Sequence, residues 1–173
     1  MYIRDDRFMR RPGASGAPAN ILLVEDNPDH AELIVRGFED HPIPNRIRHV
    51  SDGEAALDYL FRRGAWADPE SSPTPGLVLL DLRLPKIDGL EVLRRVRDSK
   101  DHDHLPVVIL STSRAEGDVR RAYEHQSNSY LVKPLDFASF TAMINDVGYY
   151  WLSWNHYPGR NLGLTGRDAG QRT

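Results

Sequence analysis

Four short runs of the chain are apolar at every position: Ile21–Val24, Leu77–Leu80, Val107–Leu110 and Tyr130–Val132. Unbroken runs of this length, rich in Val, Ile and Leu, predict parallel strands covered on both faces. A fifth segment, Arg46–Val50, alternates polar and apolar residues, the pattern of an edge strand. Between the runs the spacing lengthens to a helical period. Asn27 followed by Pro28 forms an N-cap with proline at the first helical position, and Ala31, Ile34, Val35 and Phe38 then define one face. Ser51 to about Arg63 makes a second helix with Ala55, Ala56, Tyr59 and Leu60 as its stripe. Leu90 to Val96 makes a third, and Val119, Ala122 and Tyr123 mark a fourth. The last helix starts near Asp136 and carries Phe137, Phe140, Ile144, Val147, Trp151 and Trp154 at spacings of three and four.

Strand and helix therefore alternate five times. Such alternation specifies an α/β fold, a doubly wound parallel sheet joined by right-handed crossovers, here with an extended C-terminal helix. The segment Gly64–Gly76 holds three prolines and two serines and is a loop inserted before the third strand. Residues 1–19 and 158–173 show no sustained period and are expected to be mobile tails around a folded domain at 20–157.

Composition narrows the function classes. The chain has 173 residues and no cysteine, which excludes a disulfide framework, a thiol nucleophile and a sulfur-ligated zinc. No apolar run approaches the length of a membrane span and no secretory signal opens the sequence, so a cytoplasmic location is expected. The net charge of −3 argues against a surface built for nucleic acid. The charge is uneven: residues 1–20 and 160–173 carry +2 each, which leaves −7 on 21–159.

In an open parallel sheet, ligands sit beyond the carboxyl ends of the strands. Glu25 and Asp26 follow the first strand, Asp81 the third, Ser111 and Thr112 the fourth, and Lys133 with Pro134 the fifth. Three crowded carboxylates each suffer a raised pKa unless a positive charge cancels theirs. An all-oxygen donor set suits a hard divalent ion, Mg²⁺ before Zn²⁺. With a lysine and hydroxyls beside them, the acids make a site for a phosphoryl group on Asp81. Taken singly, an Asp at a strand end is most often a cap; five consistent positions at one rim are not.

Four segments then resemble the receiver domains of bacterial two-component response regulators: Ile21–Asn27 (ILLVEDN), Leu79–Gly89 (LLDLRLPKIDG), Leu105–Thr112 (LPVVILST) and Ser129–Pro134 (SYLVKP). The resemblance covers about 20–150 and implies a flavodoxin-like strand order of 2-1-3-4-5. It implies Asp81 as phosphoacceptor and Mg²⁺ on Asp26, Asp81 and the Arg83 backbone carbonyl, with Glu25 at the first acidic position. Ser111 falls on the switch hydroxyl, Thr112 on the small residue after it, Tyr130 on the switch aromatic and Lys133 on the family's lysine. A cis peptide is implied before Pro134. The departures are a serine where threonine is commoner, and Arg83 and Ser113 at positions that influence dephosphorylation.

The inserted loop and the terminal Tyr-Trp-Leu-Ser-Trp resemble the small stand-alone response regulators that partner bacterial and cyanobacterial phytochromes. That likeness implies a histidine kinase, a phytochrome-type photoreceptor, as phosphoryl donor. It also implies output through a protein-interaction surface that switches as Ser111 moves and Tyr130 turns inward. A homodimer through the fourth and fifth helices and the C-terminal aromatics is expected, with Trp151, Trp154 and Tyr157 either completing that interface or covering the domain's own end. Two alternatives stay open: a receiver serving another kinase in a phosphorelay, and an aspartyl-phosphate phosphohydrolase. The phosphohydrolase pattern wants a second acid where Arg83 stands, so the chain is expected not to be an enzyme. Asp101–His104 (DHDH) looks like a metal cluster but falls in a loop away from the rim, and Arg94, Arg95 and Arg97 read as a solvated helix face. Gly-rich phosphate-binding motifs are absent.

Overall fold

A computed structural model describes residues 18–155. The strands are β1 (Ala19–Val24), β2 (Asn45–Val50), β3 (Leu77–Leu80), β4 (Val107–Ser111) and β5 (Ser129–Val132). They form one parallel sheet in the order β2-β1-β3-β4-β5. The helices are α1 (Pro28–Glu39), α2 (Gly53–Leu60), α3 (Gly89–Asp98), α4 (Glu116–Glu124) and α5 (Phe137–Tyr149). Most of the stretches expected to be tails, together with Tyr157, lie outside the described residues.

Alternation along β1 explains the two layers. Leu22 and Val24 enter a core with Leu57, Leu60, Val92, Leu93 and Val96 of α2 and α3. Ile21 and Leu23 enter the other, with Ala31, Ile34 and Phe38 of α1 and Phe140, Ile144 and Val147 of α5. Every residue of β3 is buried, as its unbroken apolar run requires. β2 has exposed arginines at 46 and 48 because it is one edge of the sheet; β5, the other edge, is half-buried along its length and not covered on both faces as its apolar run indicates.

Local chemistry sets the boundaries. Asn27 caps α1, its side chain accepting from the N–H groups of Asp29 and His30 at 2.9 and 3.1 Å. Asp52 caps α2 through the Ala55 N–H at 2.8 Å, so the helix starts two residues later than the periodicity indicates. It ends at Leu60, short of the expected Arg63, because Arg62 takes the left-handed conformation at φ 53°. The inserted loop is anchored rather than loose. Tyr59 donates to the Pro73 carbonyl at 2.9 Å, and Trp66 packs edge-on against Tyr59 at 5.2 Å.

At the far end, α5 continues into a π-helical turn, Tyr150–Trp154, closed by the Asn155 N–H on the Tyr150 carbonyl at 2.8 Å. The widened turn separates the aromatics: Trp151 and Leu152 join the α1–α5 core, whereas Trp154 is 60% exposed. Trp151 therefore covers the domain's own end and is no part of an open patch. No peptide bond among the described residues is cis, so the bond before Pro134 is trans, contrary to the resemblance; trans is the intrinsically favoured isomer.

Candidate functional site

The carboxyl ends of β1, β3 and β5 bring Glu25, Asp81 and Lys133 together. The Lys133 ammonium, 2% exposed, lies 2.5 Å from Glu25 Oε2 and 2.5 Å from Asp81 Oδ2. One cation thus bridges two buried carboxylates, which removes much of the repulsion their proximity creates. Burial pushes the Glu25 carboxyl above the ordinary range, and the Lys133 ammonium pulls against that rise. The Asn27 N–H adds a contact to Glu25 Oε1 at 3.3 Å.

Asp26, next in the chain, is exposed. Carboxylate oxygens of Glu25, Asp26 and Asp81 lie within 4.8 Å of one another, the one such group among the described residues. Three hard oxygen donors converging without nitrogen or sulfur fit Mg²⁺ or Mn²⁺. The Arg83 N–H donates to Asp81 Oδ1 at 3.1 Å, which orients the carboxylate from its own loop. Gly89, at the start of α3, permits that loop: a Cβ there would collide with the Asp81 carbonyl oxygen and lie 2.8 Å from Leu82 Cα.

Ser111 is fully buried at the end of β4, and its hydroxyl accepts from the Ser113 N–H at 3.2 Å. Thr112 is exposed on the loop that follows. Tyr130 is half-buried against the α2–α3 core and donates to the Ser113 carbonyl at 2.9 Å. Two residues beside this site are not among those singled out in the sequence. His30, in the first turn of α1, has Nδ1 3.5 Å from both Lys133 Nζ and Glu25 Oε1, and its ring stacks on Phe140. Asp118, in the first turn of α4, receives the Arg83 guanidinium at 2.9 Å across the rim. The position of His30, three residues after a capping Asn, could have flagged it; Asp118 looks like any acid in a first helical turn.

The Asp101–His104 segment and the α3 arginines make local contacts away from this rim. His102 contacts the Leu60 carbonyl at 2.9 Å and packs on Phe61, so it anchors its loop. Arg94 and Arg95 pair with Glu91 on the exposed face of α3. Arg97 departs from the expected solvated face: its guanidinium reaches the carbonyls of Gln126 and Leu105 and the Asn128 side chain at 2.8–2.9 Å.

Fold, strand order and acidic rim define a receiver domain, and the chain belongs to the response regulator receiver domain family, whose match spans residues 21–145. It is a response regulator of two-component signalling. It is similar to the probable methanogenesis regulatory protein FilR2 of Methanothrix harundinacea, 48% identical over 82% of this chain and 89% of that one. It is also 38% identical to the response regulator Rcp1 of Synechocystis sp., over 80% of this chain and 92% of that one. A crystal structure of Rcp1 in its Mn²⁺-bound form superposes with a TM-score of 0.77 at 37% identity, over 82% of this chain and 99% of that one. The phosphorylated cyanobacterial phytochrome response regulator RcpA superposes with a TM-score of 0.78 at 34% identity, with the same coverage. No helix among the described residues is long and apolar enough to cross a membrane.

Proposed function

We propose that this chain takes a phosphoryl group from the phosphohistidine of a histidine kinase onto Asp81 and signals through a changed protein-interaction surface. The observation that carries this reading is the Asp81 carboxylate held at the open rim by Lys133, with Glu25 and Asp26 beside it. An Asp81 oxygen attacks phosphorus in line as the N–P bond breaks, and that electron pair returns to the imidazole. Lys133 exchanges its Asp81 contact for a phosphoryl oxygen while keeping Glu25, so its charge stays with the charge that moves. Glu25, Asp26, Asp81 and the Arg83 carbonyl would hold Mg²⁺, which when bound supplies positive charge to the carboxylates and phosphoryl oxygens. Ser111 donates to the phosphoryl group, and Tyr130 follows into the space it leaves.

A phytochrome-type photoreceptor kinase is the donor that the likeness to Rcp1 and RcpA supports. The 48% identity to FilR2 favours a second reading, a receiver serving another kinase in a phosphorelay. A hydrolase is disfavoured because Arg83 stands where the second acid belongs. The cytoplasm is the location consistent with a kinase donor. Exposed Tyr123 of α4 and Tyr150 beyond α5, 53% and 52% accessible, support a homodimer through these helices. Phosphotransfer from autophosphorylated kinases of both classes tests the reading. Label should reach the wild type and not Asp81→Asn; transfer from neither class, with acetyl phosphate also failing, would overturn it. For the dimer, Tyr123→Ala with Tyr150→Ala should halve the mass in light scattering; an unchanged dimer, or a wild type that is monomeric in both phosphorylation states, would refute it.

A further inference from the structure

Asp118 is a carboxylate with both oxygens fully engaged. Although it lies in the first turn of a surface helix, it is 4% exposed. Its Oδ2 accepts from the Arg83 guanidinium at 2.9 Å and from the Ser113 hydroxyl at 2.5 Å; its Oδ1 accepts from the Arg121 guanidinium at 2.6 Å. The Ser113 hydroxyl and the Arg121 guanidinium hold this carboxyl below the usual carboxylate range, so it is ionised at neutral pH.

Three pieces of the site meet here. Arg83 belongs to the Asp81 loop, its N–H on Asp81 Oδ1 and its side chain on α4. Ser113 takes the Tyr130 hydroxyl on its carbonyl and places its N–H on the Ser111 hydroxyl. The first turn of α4 has no side-chain cap, since Ala115 occupies the N-cap position. With no cap to hold it, that turn is tied to the rest of the domain through Asp118.

We propose that Asp118 is a latch that competes with a phosphoryl group on Asp81 for the Arg83 guanidinium, so that phosphorylation unlocks the start of α4. The proposal rests on the phosphoacceptor reading of Asp81. A phosphorylated side chain carries roughly −1.5 to −2 against the single charge of Asp118, and arginine binds phosphate oxygens two at a time. The Arg83 side chain is 65% exposed and starts two residues from Asp81, so it can change partners without moving the backbone. When it leaves, Asp118 keeps Arg121 and Ser113 but loses its only tie to the Asp81 loop. The β4–α4 loop, which already holds Ser111 and Tyr130, is then released with it. Asp118 is a positioning residue in this scheme, since it acts through Arg83.

Amide hydrogen exchange on the full chain, with and without acetyl phosphate and Mg²⁺, tests the latch. Phosphorylated wild type should exchange about tenfold faster than the unmodified protein over residues 113–119, the change expected from losing one charge-assisted hydrogen bond. Unphosphorylated Asp118→Asn and Arg83→Gln should each show that faster exchange already, and the double variant should add nothing. Asp118→Glu, which retains the charge, should recover part of the protection. Asp118→Asn should still be labelled at Asp81, which separates the latch from the site itself. Labelled wild type with unchanged exchange at 113–119, or additive effects of the two variants, would overturn the latch. A wild type that takes no label at Asp81 would overturn the phosphoacceptor reading, and the latch with it.

Discussion

Replacing Lys133 with methionine keeps the length and apolar stem of the side chain and deletes only its charge. The ammonium lies 2.5 Å from each of two carboxylate oxygens. At an effective dielectric constant of about 20, one such contact has a gross attraction of about 7 kcal/mol. Desolvation of a lysine that is only 2% exposed offsets most of the total. Removing one partner of a buried ion pair nonetheless costs about 3–5 kcal/mol, because the other charges stay behind unpaired. Here two are left, with Asp26 beside them. Lys133→Met should therefore lose about 3–5 kcal/mol in urea unfolding at pH 7 without divalent cation, read as a lower midpoint at unchanged slope.

The loss should also depend on pH. Burial already raises the Glu25 carboxyl in the fold, and the variant lacks the lysine that opposes the rise. A carboxyl whose folded pKa lies above its unfolded value of 4.5 binds protons more readily in the folded state, so the deficit should shrink as pH falls toward 4.5. Added Mg²⁺ should shrink it at pH 7 as well. A deficit below about 1 kcal/mol, or one that depends on neither pH nor cation, would refute the bridging role.

Other expectations follow from single contacts. Gly89→Ala should cost about 2–3 kcal/mol by thermal unfolding and weaken labelling of Asp81, because the new Cβ collides with the Asp81 carbonyl. His41 is held below its ordinary pKa of 6.5 by burial; its Nδ1 accepts from the Ile43 N–H at 3.2 Å and its Nε2 has no hydrogen-bond partner among the described residues. The unfolded chain therefore binds a proton first, and stability should fall as pH drops below 6.5, a dependence that His41→Asn should flatten in denaturant titrations. Tyr130→Phe should lose about 1 kcal/mol, the Ser113 hydrogen bond, while Asp81 still accepts label.

Most of the fold was legible because its signals were local and repeated. The first, third and fifth strands were each an apolar run with a chemically distinct residue after it, so Glu25, Asp81 and Lys133 could be assigned to one rim from the parallel direction of the strands. Contacts that depend on where a side chain turns were not legible. Arg83 and Asp118 lie 35 positions apart and meet because the loops after β3 and β4 are neighbours across the rim. Arg97 looked like part of a solvated face, yet it reaches backbone carbonyls beyond its own helix. The C-terminal aromatics kept a helical spacing, but a π-turn at Tyr150 sends Trp151 inward and leaves Trp154 outside. Periodicity could not show that switch, since both turns accept the same residues.

Peptide mapping of the protein after acetyl phosphate and Mg²⁺ treatment shows whether Asp81 accepts the phosphoryl group. One phosphoryl group per chain is expected on the peptide containing Asp81, and none on Asp81→Asn. A full equivalent on Asp81→Asn at another residue would contradict it.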